Sequence, residues 1–329
     1  LVAAGVSLIR LGHPARVLPE LQAYTLDARV QEQHDYQLAI SLRKQAYGLF
    51  DQAGKFRRAR PEPGEKQGLR DEARQMLDEA RQLEARAVEQ ALDSAMVILS
   101  TLTAIDSSTL GQREFDLCVI DEAGQSIEPA TWIPIARSRK LVLAGDHQQL
   151  PPTILSHAAA RQGFGISLLE RLAQRDGNAI ARRLDVQYRM NADIMNFSSA
   201  EFYDGDLQAD PGVATHLLSG LAGAMGDGLL ETAVTFIDTA GAGYDDLQPI
   251  DSSSHCNPEE ATVVVRKVQQ LLAANIAPSA IAVITPYSAQ VELLREQLPA
   301  AIEIGSVDGF QGREKEAVII SLVRSNVRG

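Results

Sequence analysis

Two adjacent carboxylates that follow an apolar run are the strongest chemical signal in this sequence. The run covers residues 115–120, and Asp121 and Glu122 come directly after it. If the run forms a strand of a parallel sheet, both side chains lie at the carboxyl edge, where open α/β folds bind their ligands. In nucleoside triphosphatases an acid at that edge helps to hold Mg²⁺ against the phosphates. We therefore predict that Asp121 holds Mg²⁺ and that Glu122 orients and deprotonates the attacking water. The plainer alternative is that Asp121 caps the next helix.

A second polar loop follows the next apolar run, at residues 140–144. Gly145 permits a tight exit from a strand, and Asp146 and Gln149 are then left beside the first carboxylate pair. Because Gln149 is neutral, it can sense a γ-phosphate by a hydrogen bond without competing for the metal. Taken alone, the loop could equally be an ordinary turn.

Six short apolar runs predict the strands that position these loops. They are residues 96–101, 115–120, 140–144, 234–237, 281–285 and 317–323. Continuous apolar runs are typical of parallel strands that are buried on both faces. Helical patterns fit near residues 191–202, 259–273 and 289–298. The sequence thus predicts two parallel-sheet α/β domains, joined near residues 174–182.

Residues 38–92 have the pattern of a helical hairpin instead of a sheet. The predicted packed face of the first helix consists of Leu38, Leu42, Ala46 and Leu49. On the second helix, small and apolar residues between positions 69 and 87 repeat at alternating spacings of four and three, the pattern of a coiled-coil seam. Residues 61–64 contain two prolines and a glycine, which supply the reversal. We predict an antiparallel arm.

Length and composition limit the class of protein. The chain has 329 residues, of which 45% are hydrophobic, and this allows two cores because single cores stop growing at roughly 250 to 300 residues. No apolar run approaches the roughly 18 to 20 residues that cross a bilayer, so we expect no membrane partner. Cys118 and Cys256 are the only cysteines and cannot build a disulfide framework. This favours a reducing compartment, and the cytoplasm is the expected location.

The chain is acidic, with a formal net charge of −12. Dedicated nucleic-acid binders usually carry a basic patch and a high pI, so the charge argues against that class but leaves room for a local groove. Residues 238–254 are polar and acidic, and we predict a surface loop there. We expect a monomer.

Five short motifs occur in order along the chain. They are DEAGQ at residues 121–125, GDHQQLPP at 145–152, QYRM at 187–190, ITPYSAQ at 284–290 and SVDGFQGREKE at 306–316. Each is weak alone, but together they resemble the ordered motifs of superfamily-one helicases. The subgroup they resemble is the nonsense-decay-factor-like type, which includes the immunoglobulin mu-binding helicases. The similarity extends over essentially the whole chain.

The resemblance implies a fold class and an activity. The fold is α/β, with two RecA-like parallel-sheet domains at residues 1–178 and 179–329 and a helical arm at about residues 25–93 inserted in the first. The activity is that of an ATP-dependent helicase, in which ATP hydrolysis drives translocation on a nucleic-acid strand. ATP and Mg²⁺ are the implied cofactors, and single-stranded DNA or RNA is the implied partner.

The resemblance also implies roles for residues of the first domain. Asp121 and Glu122 match the magnesium and water-activating pair, and Gln149 matches the γ-phosphate sensor. Further matches to the nucleotide site are Gln125, Gly145 and Asp146 in this domain and Tyr188, Gly312 and Glu314 in the second domain.

In the second domain, Arg189 matches an arginine that reaches the γ-phosphate, as an arginine finger in cis does. Tyr188 is similar to the residue beside the nucleoside, and Glu314 to one that contacts the ribose. Without the flanking motifs, Arg189 would be interpreted as part of a surface ion pair and Tyr188 as core packing.

Short polar residues after predicted strands suit contacts to a nucleic-acid backbone. Hydroxyl groups and backbone N–H groups at strand ends can bind phosphates and so position a strand without reading its sequence. The residues at such positions are Ser100, Thr101, Thr103, Thr285, Pro286 and Tyr287. The resemblance adds Ser306, Asp308 and Gln311. The alternative is that these residues form ordinary caps and turns.

Two parts of the family pattern are absent from the 329 residues. No G-x-x-x-x-G-K-[ST] phosphate loop occurs, and the chain stops before the family's last motif. Both absences coincide with the chain ends, so we expect a truncated copy that binds ATP poorly and is inactive alone. One alternative is a non-catalytic nucleic-acid or protein-binding module with the same fold. A weaker alternative is another phosphate-loop enzyme, such as a nuclease-linked ATPase.

Overall fold

The computed structural model describes residues 1–12, 17–55, 64–105, 107–221, 223–225, 228–250 and 252–325. The chain divides into two compact units, Leu1–Arg175 and Asp176–Gly329. Both units combine helices with small parallel sheets, so the predicted α/β class is confirmed. Among the described residues, no helix combines the length and the apolar character that crossing a bilayer requires.

The first unit contains two pairs of parallel strands. Strand β1 (Leu8–Arg10) pairs with β2 (Val97–Leu99), and β3 (Cys118–Ile120) pairs with β4 (Leu141–Leu143). Three of the four strands lie within runs that the sequence predicts. The register sets Ile120 beside Leu143, so the segments that follow β3 and β4 leave the pair at the same end.

One face of the β3–β4 pair is open, which corrects the expectation that these strands are buried on both faces. Val119 and Val142 are register partners and therefore share a face. They are 59% and 48% exposed. Ile120, on the other face, is 4% exposed. Within the described residues, each strand has a single hydrogen-bonded neighbour, and only one side of the pair is covered.

Two long helices dominate the rest of the first unit. The helices of this unit are α1 (Leu26–Gln31), α2 (His34–Lys55), α3 (Glu65–Ser94), α4 (Ser107–Leu110), α5 (Glu128–Ile135), α6 (His157–Ala159) and α7 (Leu168–Asp176). Helices α2 and α3 run antiparallel, because Asp35 near the start of α2 contacts Gln90 near the end of α3 and Arg43 contacts Glu84. The predicted reversal at residues 61–63 lies outside the described residues.

The contact between α2 and α3 differs from the predicted face by one residue. Leu38 is 43% exposed, whereas Ala39 is fully buried and packs against Ala80 and Leu83. Positions 39, 42, 46, 49 and 53 alternate in spacings of three and four, so the seam of α2 follows the same rule as that of α3. The prediction was wrong at Leu38 because it assigned the packed position to the larger leucine, whereas the adjacent alanine occupies it.

The second unit contains a three-stranded parallel sheet. Its order is β8 (Glu303–Gly305), β7 (Ile281–Ile284) and β9 (Ala317–Ile320). A separate parallel pair is formed by β5 (Val186–Gln187) and β6 (Gln208–Ala209). The helices are α8 (Ala192–Phe202), α9 (Pro258–Ala273), α10 (Ser288–Gln297) and α11 (Val307–Phe310).

Helices α9 and α10 cover the three-stranded sheet and form the main core. Val268 and Leu294, one from each helix, are fully buried and belong to the same cluster as Ile281 and Val283 of β7. Asn257 caps α9 by accepting a hydrogen bond from the backbone N–H of Glu260.

The predicted strand at residues 234–237 is not formed. The structure describes these residues as irregular, with Val234 60% exposed and Phe236 83% exposed. An apolar run becomes a strand only when a neighbour satisfies its backbone groups, and among the described residues this run has no strand partner. The predicted helices near residues 191–202, 259–273 and 289–298 are confirmed as α8, α9 and α10.

Candidate functional site

The loops after β3 and β4 are in direct contact at the carboxyl end of the pair. The backbone N–H of Ala123 donates to the carbonyl of Ala144 over 2.9 Å, and the N–H of Ala144 donates to the carbonyl of Ile120 over 2.9 Å. The parallel pairing therefore continues into the loops. It brings the segment from Asp121 to Gln125 against the segment that begins at Gly145.

Two glycines allow this close approach. A Cβ atom on Gly124 would lie 2.7 Å from the carbonyl oxygen of Asp146, and one on Gly145 would lie 2.8 Å from the backbone nitrogen of Ala123. Gly145 also has φ of +147°, in the range that favours glycine. The backbones of the two loops touch without side chains between them, and their relative position is fixed.

The carboxylate pair has a constrained backbone. Glu122 has φ of 52°, a left-handed conformation that is uncommon for a residue with a side chain. Asp121 Oδ1 accepts a hydrogen bond from the N–H of Glu122 over 3.0 Å, and Gln125 Nε2 donates to Glu122 Oε2 over 2.8 Å. The turn Ala123–Gln125 has no side-chain cap. Asp121 therefore does not serve as the helix cap that the alternative reading required.

Gln149 and Asp146 form a second polar group on the facing loop. Asp146 Oδ1 accepts from the N–H of Gln148 over 3.0 Å, and Asp146 Oδ2 accepts from Gln149 Nε2 over 3.0 Å. The Asp146 carboxylate thus orders its own loop and orients the Gln149 amide.

Few protein side chains at this site could bind a metal ion. Among the described residues, no group of three or more His, Cys, Asp and Glu side chains is placed to hold a metal ion. Mg²⁺ usually keeps several waters and is bound through one or two carboxylates together with phosphate oxygens. The exposed carboxylates of Asp121 and Glu122 fit that kind of site.

In the second unit, a tight turn presents Arg189. Gln187 Oε1 accepts hydrogen bonds from the backbone N–H groups of Arg189 and Met190, over 2.8 and 2.7 Å, and Gln187 Nε2 donates to the carbonyl of Met190. The Gln187 side chain thus takes part in three hydrogen bonds, and these fix the turn. Tyr188, in the same turn, is 71% exposed, which excludes core packing as its role.

Arg189 forms an ion pair with another predicted nucleotide-site residue. Its Nε lies 2.7 Å from Glu314 Oε2, and the two side chains are 58% and 69% exposed. His216 forms a second contact to the same motif, with its Nε2 2.8 Å from Glu316 Oε2. The surface ion pair considered as an alternative for Arg189 is therefore present, and its partner comes from the fifth motif. Gly312, in that motif, has φ of +75°.

The predicted nucleic-acid residues of the first unit follow β2. Thr101 and Thr103 are exposed, and Ser100 is half-buried. Ser100 Oγ donates to the carbonyl of Thr101 over 3.0 Å, so its hydroxyl also stabilises the local turn.

The predicted nucleic-acid residues of the second unit follow β7 and β8. Pro286 is exposed and Tyr287 half-buried, but Thr285 is fully buried, and its hydroxyl has no hydrogen-bond partner in the part of the chain that the structure describes. In this conformation the Thr285 hydroxyl does not face solvent. Gln311 is half-buried, and its Nε2 has no partner among the described residues.

Ser306 caps a short helix, as its alternative reading proposed. Its Oγ accepts from the N–H of Gly309 over 3.4 Å at the start of α11. Asp308, in the same helix, is exposed.

A polar cluster that the sequence did not reveal lies beside Tyr287. Asp246 comes from the segment predicted to be a surface loop, yet its side chain is only 4% exposed. The hydrogen bond from the backbone N–H of Ser325, and then the charge of Arg324 and the contact with His255, hold the pKa of Asp246 below its usual range, although its desolvation opposes them. Asp246 and Arg324 are far apart in sequence, and only the topology of the sheet brings them together.

Comparison with known proteins assigns the chain to a family. Two family profiles, both described as AAA domain, match residues 2–157 and residues 164–329, and the second covers more than half of the chain. The chain belongs to the AAA-domain family. The predicted resemblance to superfamily-one helicases is confirmed.

The relatives extend over nearly the whole chain. The DNA-binding protein SMUBP-2 of Rattus norvegicus is 42% identical over 98% of the chain and 33% of its own length. The DNA polymerase alpha-associated DNA helicase A of Schizosaccharomyces pombe is 35% identical over 99% of the chain and 49% of its own length. An uncharacterized ATP-dependent helicase of Methanocaldococcus jannaschii is 33% identical over 97% and 53%. The chain thus spans between a third and about half of these relatives.

Proposed function

We propose that the protein is an ATP-dependent helicase that couples ATP hydrolysis to movement along single-stranded DNA or RNA. The observation that carries the proposal is the contact between the loop of Asp121 and Glu122 and the loop of Asp146 and Gln149 at the carboxyl end of parallel strands. Relatives named as DNA helicase and ATP-dependent helicase support it. In this proposal each unit is a RecA-like motor domain, and α2 with α3 is an arm inserted in the first.

The chemistry of the proposed site is divided among fixed side chains. Mg²⁺, when bound, would supply positive charge to the phosphates, and Asp121 is the residue that would hold it near them. Glu122 accepts a proton from the attacking water, and the hydrogen bond from Gln125 Nε2 orients its carboxylate for that step. Gln149, oriented by Asp146, donates its amide to a γ-phosphate oxygen.

Arg189 is the residue of the second unit that we assign to the γ-phosphate. To reach a phosphate, its guanidinium leaves the carboxylate of Glu314, and Glu314 then becomes available to a ribose hydroxyl. Both new contacts need the nucleotide. The ion pair is exposed and is therefore weak, so the exchange costs little.

Replacing Glu122 by Gln tests the proposal. In the full-length gene product we expect Glu122→Gln to lower the ATP turnover rate by about 10²- to 10⁴-fold, because the amide cannot accept the proton. Binding of a fluorescent ATP analogue is expected to stay near the wild-type value. Turnover is measured by phosphate release in the presence of a single-stranded oligonucleotide.

Glu79→Gln is the matched control, since Glu79 is an exposed glutamate on α3. We expect this variant to retain full turnover. Undiminished turnover in Glu122→Gln would remove Glu122 from its role. A wild-type protein that binds oligonucleotides without hydrolysing ATP would support the binding-module alternative. Strand displacement with DNA and RNA tails then identifies the nucleic acid.

A further inference from the structure

In the three-stranded sheet of the second unit, the residues that follow each strand lie at one edge of the sheet. Strands β8, β7 and β9 are parallel, and Ile284 of β7 is aligned with Gly305 of β8 and with Ile320 of β9. The predicted nucleic-acid residues of this unit follow only β7 and β8. None of them is a cation, and Asp308 is an anion. Affinity for a phosphate backbone comes mainly from Lys and Arg side chains, so the predicted set lacks its main source of binding energy.

The segment after β9 supplies the missing cation as Arg324. The chain continues from Ile320 at the same edge, four residues before Arg324. The Arg324 side chain is 48% exposed. The hydrogen bond that the guanidinium donates to the Tyr287 side-chain oxygen, followed by the charge of Asp246, raises the pKa of Arg324. Arg324 therefore sits beside Tyr287, a residue already predicted to contact the strand.

Asp246 holds this arginine in place from a nearly buried position. Its Oδ2 lies 3.2 Å from Arg324 Nε and 2.9 Å from His255 Nδ1. Its Oδ1 accepts from the N–H of Ser325 over 2.8 Å, and its own N–H donates to the carbonyl of Ser325 over 3.0 Å. One aspartate thus binds both the side chain of Arg324 and the backbone that follows it.

The backbone before Arg324 is strained and held by buried groups. Val323 has φ of 70° and is fully buried, a conformation that is an outlier for a β-branched residue. Both carboxylate oxygens of Glu260 accept from its N–H, over 3.1 and 3.0 Å, and Asn257 Nδ2 donates to its carbonyl over 3.1 Å. Strain of this kind persists where the surroundings fix it, and it is concentrated at functional sites. Here the strained residue directly precedes Arg324.

Aromatic contacts complete the surface around Arg324. The rings of His255 and Tyr287 meet edge to face, with centroids 5.8 Å apart. A half-exposed guanidinium beside an aromatic hydroxyl is a pair that suits a strand of nucleic acid, because the cation attracts the phosphate and the ring offers a flat contact to a sugar or base.

We propose that Arg324 binds a phosphate of the single-stranded nucleic acid, at a site shared with Tyr287, and that Asp246 is its positioning residue. The proposal rests on the proposed function in that it needs a strand bound at this edge. It adds a phosphodiester contact, from the end of the third strand of the sheet, that the motifs do not include.

The test is the affinity of Arg324→Ala for labelled oligo(dT) and oligo(U), measured by fluorescence anisotropy at several NaCl concentrations. Loss of one charged hydrogen-bonded contact is expected to weaken binding roughly ten-fold. The slope of log K against log salt is expected to fall in magnitude by about 0.7, the value for one phosphate of a single strand. Arg324→Lys keeps the charge and is expected to keep the slope.

Asp246→Asn tests the positioning role. The amide oxygen can still accept from Ser325, but the charge that holds Arg324 is lost. We expect weaker binding with an unchanged salt slope, because Arg324 keeps its charge and loses its orientation. Binding as tight as that of the wild type would overturn the role of Asp246.

Arg183→Ala is the control, because it removes an arginine of the same unit that lies outside the proposed site. Arg183 is 42% exposed and ion-paired to Asp185, at the start of the β5 segment. We expect wild-type affinity and slope. Thermal melting followed by circular dichroism checks that each variant is folded. If Arg324→Ala does not fold, Arg324→Lys decides: weaker binding at an unchanged slope supports the contact, and wild-type affinity overturns it.

The outcomes separate this inference from the proposed function. If the wild-type protein binds neither oligonucleotide, both are overturned. If the wild type binds and folded Arg324→Ala binds equally well with the same slope, only the Arg324 site is overturned. If Arg324→Ala loses the ATP analogue and retains the oligonucleotide, the phosphate that Arg324 binds belongs to the nucleotide, and the strand contact is also rejected.

Discussion

Backbone strain at single residues marks both candidate sites of this protein. Glu122 and Val323 have positive φ values, and neither is a glycine. Gln125 donates two hydrogen bonds to Glu122, one to its side chain and one to its carbonyl. Glu260 and Asn257 hold the backbone of Val323 through its N–H and its carbonyl. Such a conformation costs of order 1 to 3 kcal/mol, so the fold stabilises it elsewhere.

Gly124 offers a sharp test of the contact between the two loops of the first unit. An added Cβ would meet the backbone of Asp146, which cannot move aside as a flexible side chain can. We expect Gly124→Ala to lower the free energy of unfolding by about 1 to 3 kcal/mol. The measurement is urea unfolding followed by the fluorescence of Trp132, which is the only tryptophan and lies in the first unit.

Gly48→Ala is the matched substitution. Gly48 lies inside α2, and a Cβ there would meet nothing within 4 Å. Alanine is favoured over glycine within a helix, so we expect a gain of about 0.5 to 1 kcal/mol. Opposite signs for the two variants would support the backbone contact. A stabilising effect of Gly124→Ala would show that the loops do not touch.

At the level of elements, the two long helices are held together by an apolar seam of small residues. Ala39 and Ala80 are fully buried, Leu83 is 3% exposed, and ion pairs such as Arg43 with Glu84 lie beside the seam. Surface ion pairs contribute little, so burial of these side chains supplies most of the stability of the pair.

Leu83→Ala tests whether apolar burial supplies most of the stability of the helix pair. Truncating a buried leucine leaves a cavity and is expected to cost about 2 to 5 kcal/mol. Leu38→Ala is the control, because Leu38 is 43% exposed, and we expect a loss below about 1 kcal/mol. Far-UV circular dichroism during urea unfolding reports the helices. Equal losses from both substitutions would contradict the seam.

The elements also explain which parts of the fold the sequence could predict. Helices α8, α9 and α10 follow from local periodicity, and the strand cores of β3 and β4 from continuous apolar runs. The run at residues 234–237 has the same local character but lacks a described partner strand. Pairing is a property of distant segments, and no local pattern contains it.

The same limit applies to the candidate sites. Asp121 and Gln149 are predictable because each follows its own strand directly. Asp246 and Arg324 meet only because the chain returns to the sheet as β9. The cue in the sequence is the apolar run that ends in Val323 and is followed by an arginine. A prediction that followed every strand to its carboxyl end would have included Arg324.

On the scale of the whole molecule, the proposed nucleotide residues are divided between the two compact units. Asp121, Glu122 and Gln149 belong to the first unit, and Arg189 and Glu314 belong to the second. If hydrolysis needs both groups in one transition state, neither unit can catalyse it alone. Within the second unit, the Arg189 side chain pairs with that of Glu314.

A double-mutant cycle between Glu122→Gln and Arg189→Ala tests this division in the full-length gene product. Loss of a general base lowers turnover by about 10²- to 10⁴-fold, and loss of an arginine finger by about 10³- to 10⁵-fold. If the residues acted independently, the two factors would multiply. Because residues that serve one transition state are strongly non-additive, we expect the double variant to fall less than about ten-fold below the slower single variant. Turnover is measured by phosphate release at saturating ATP, and Arg183→Ala replaces Arg189→Ala in a control cycle. Multiplying factors would mean that Arg189 does not act in the site of Glu122.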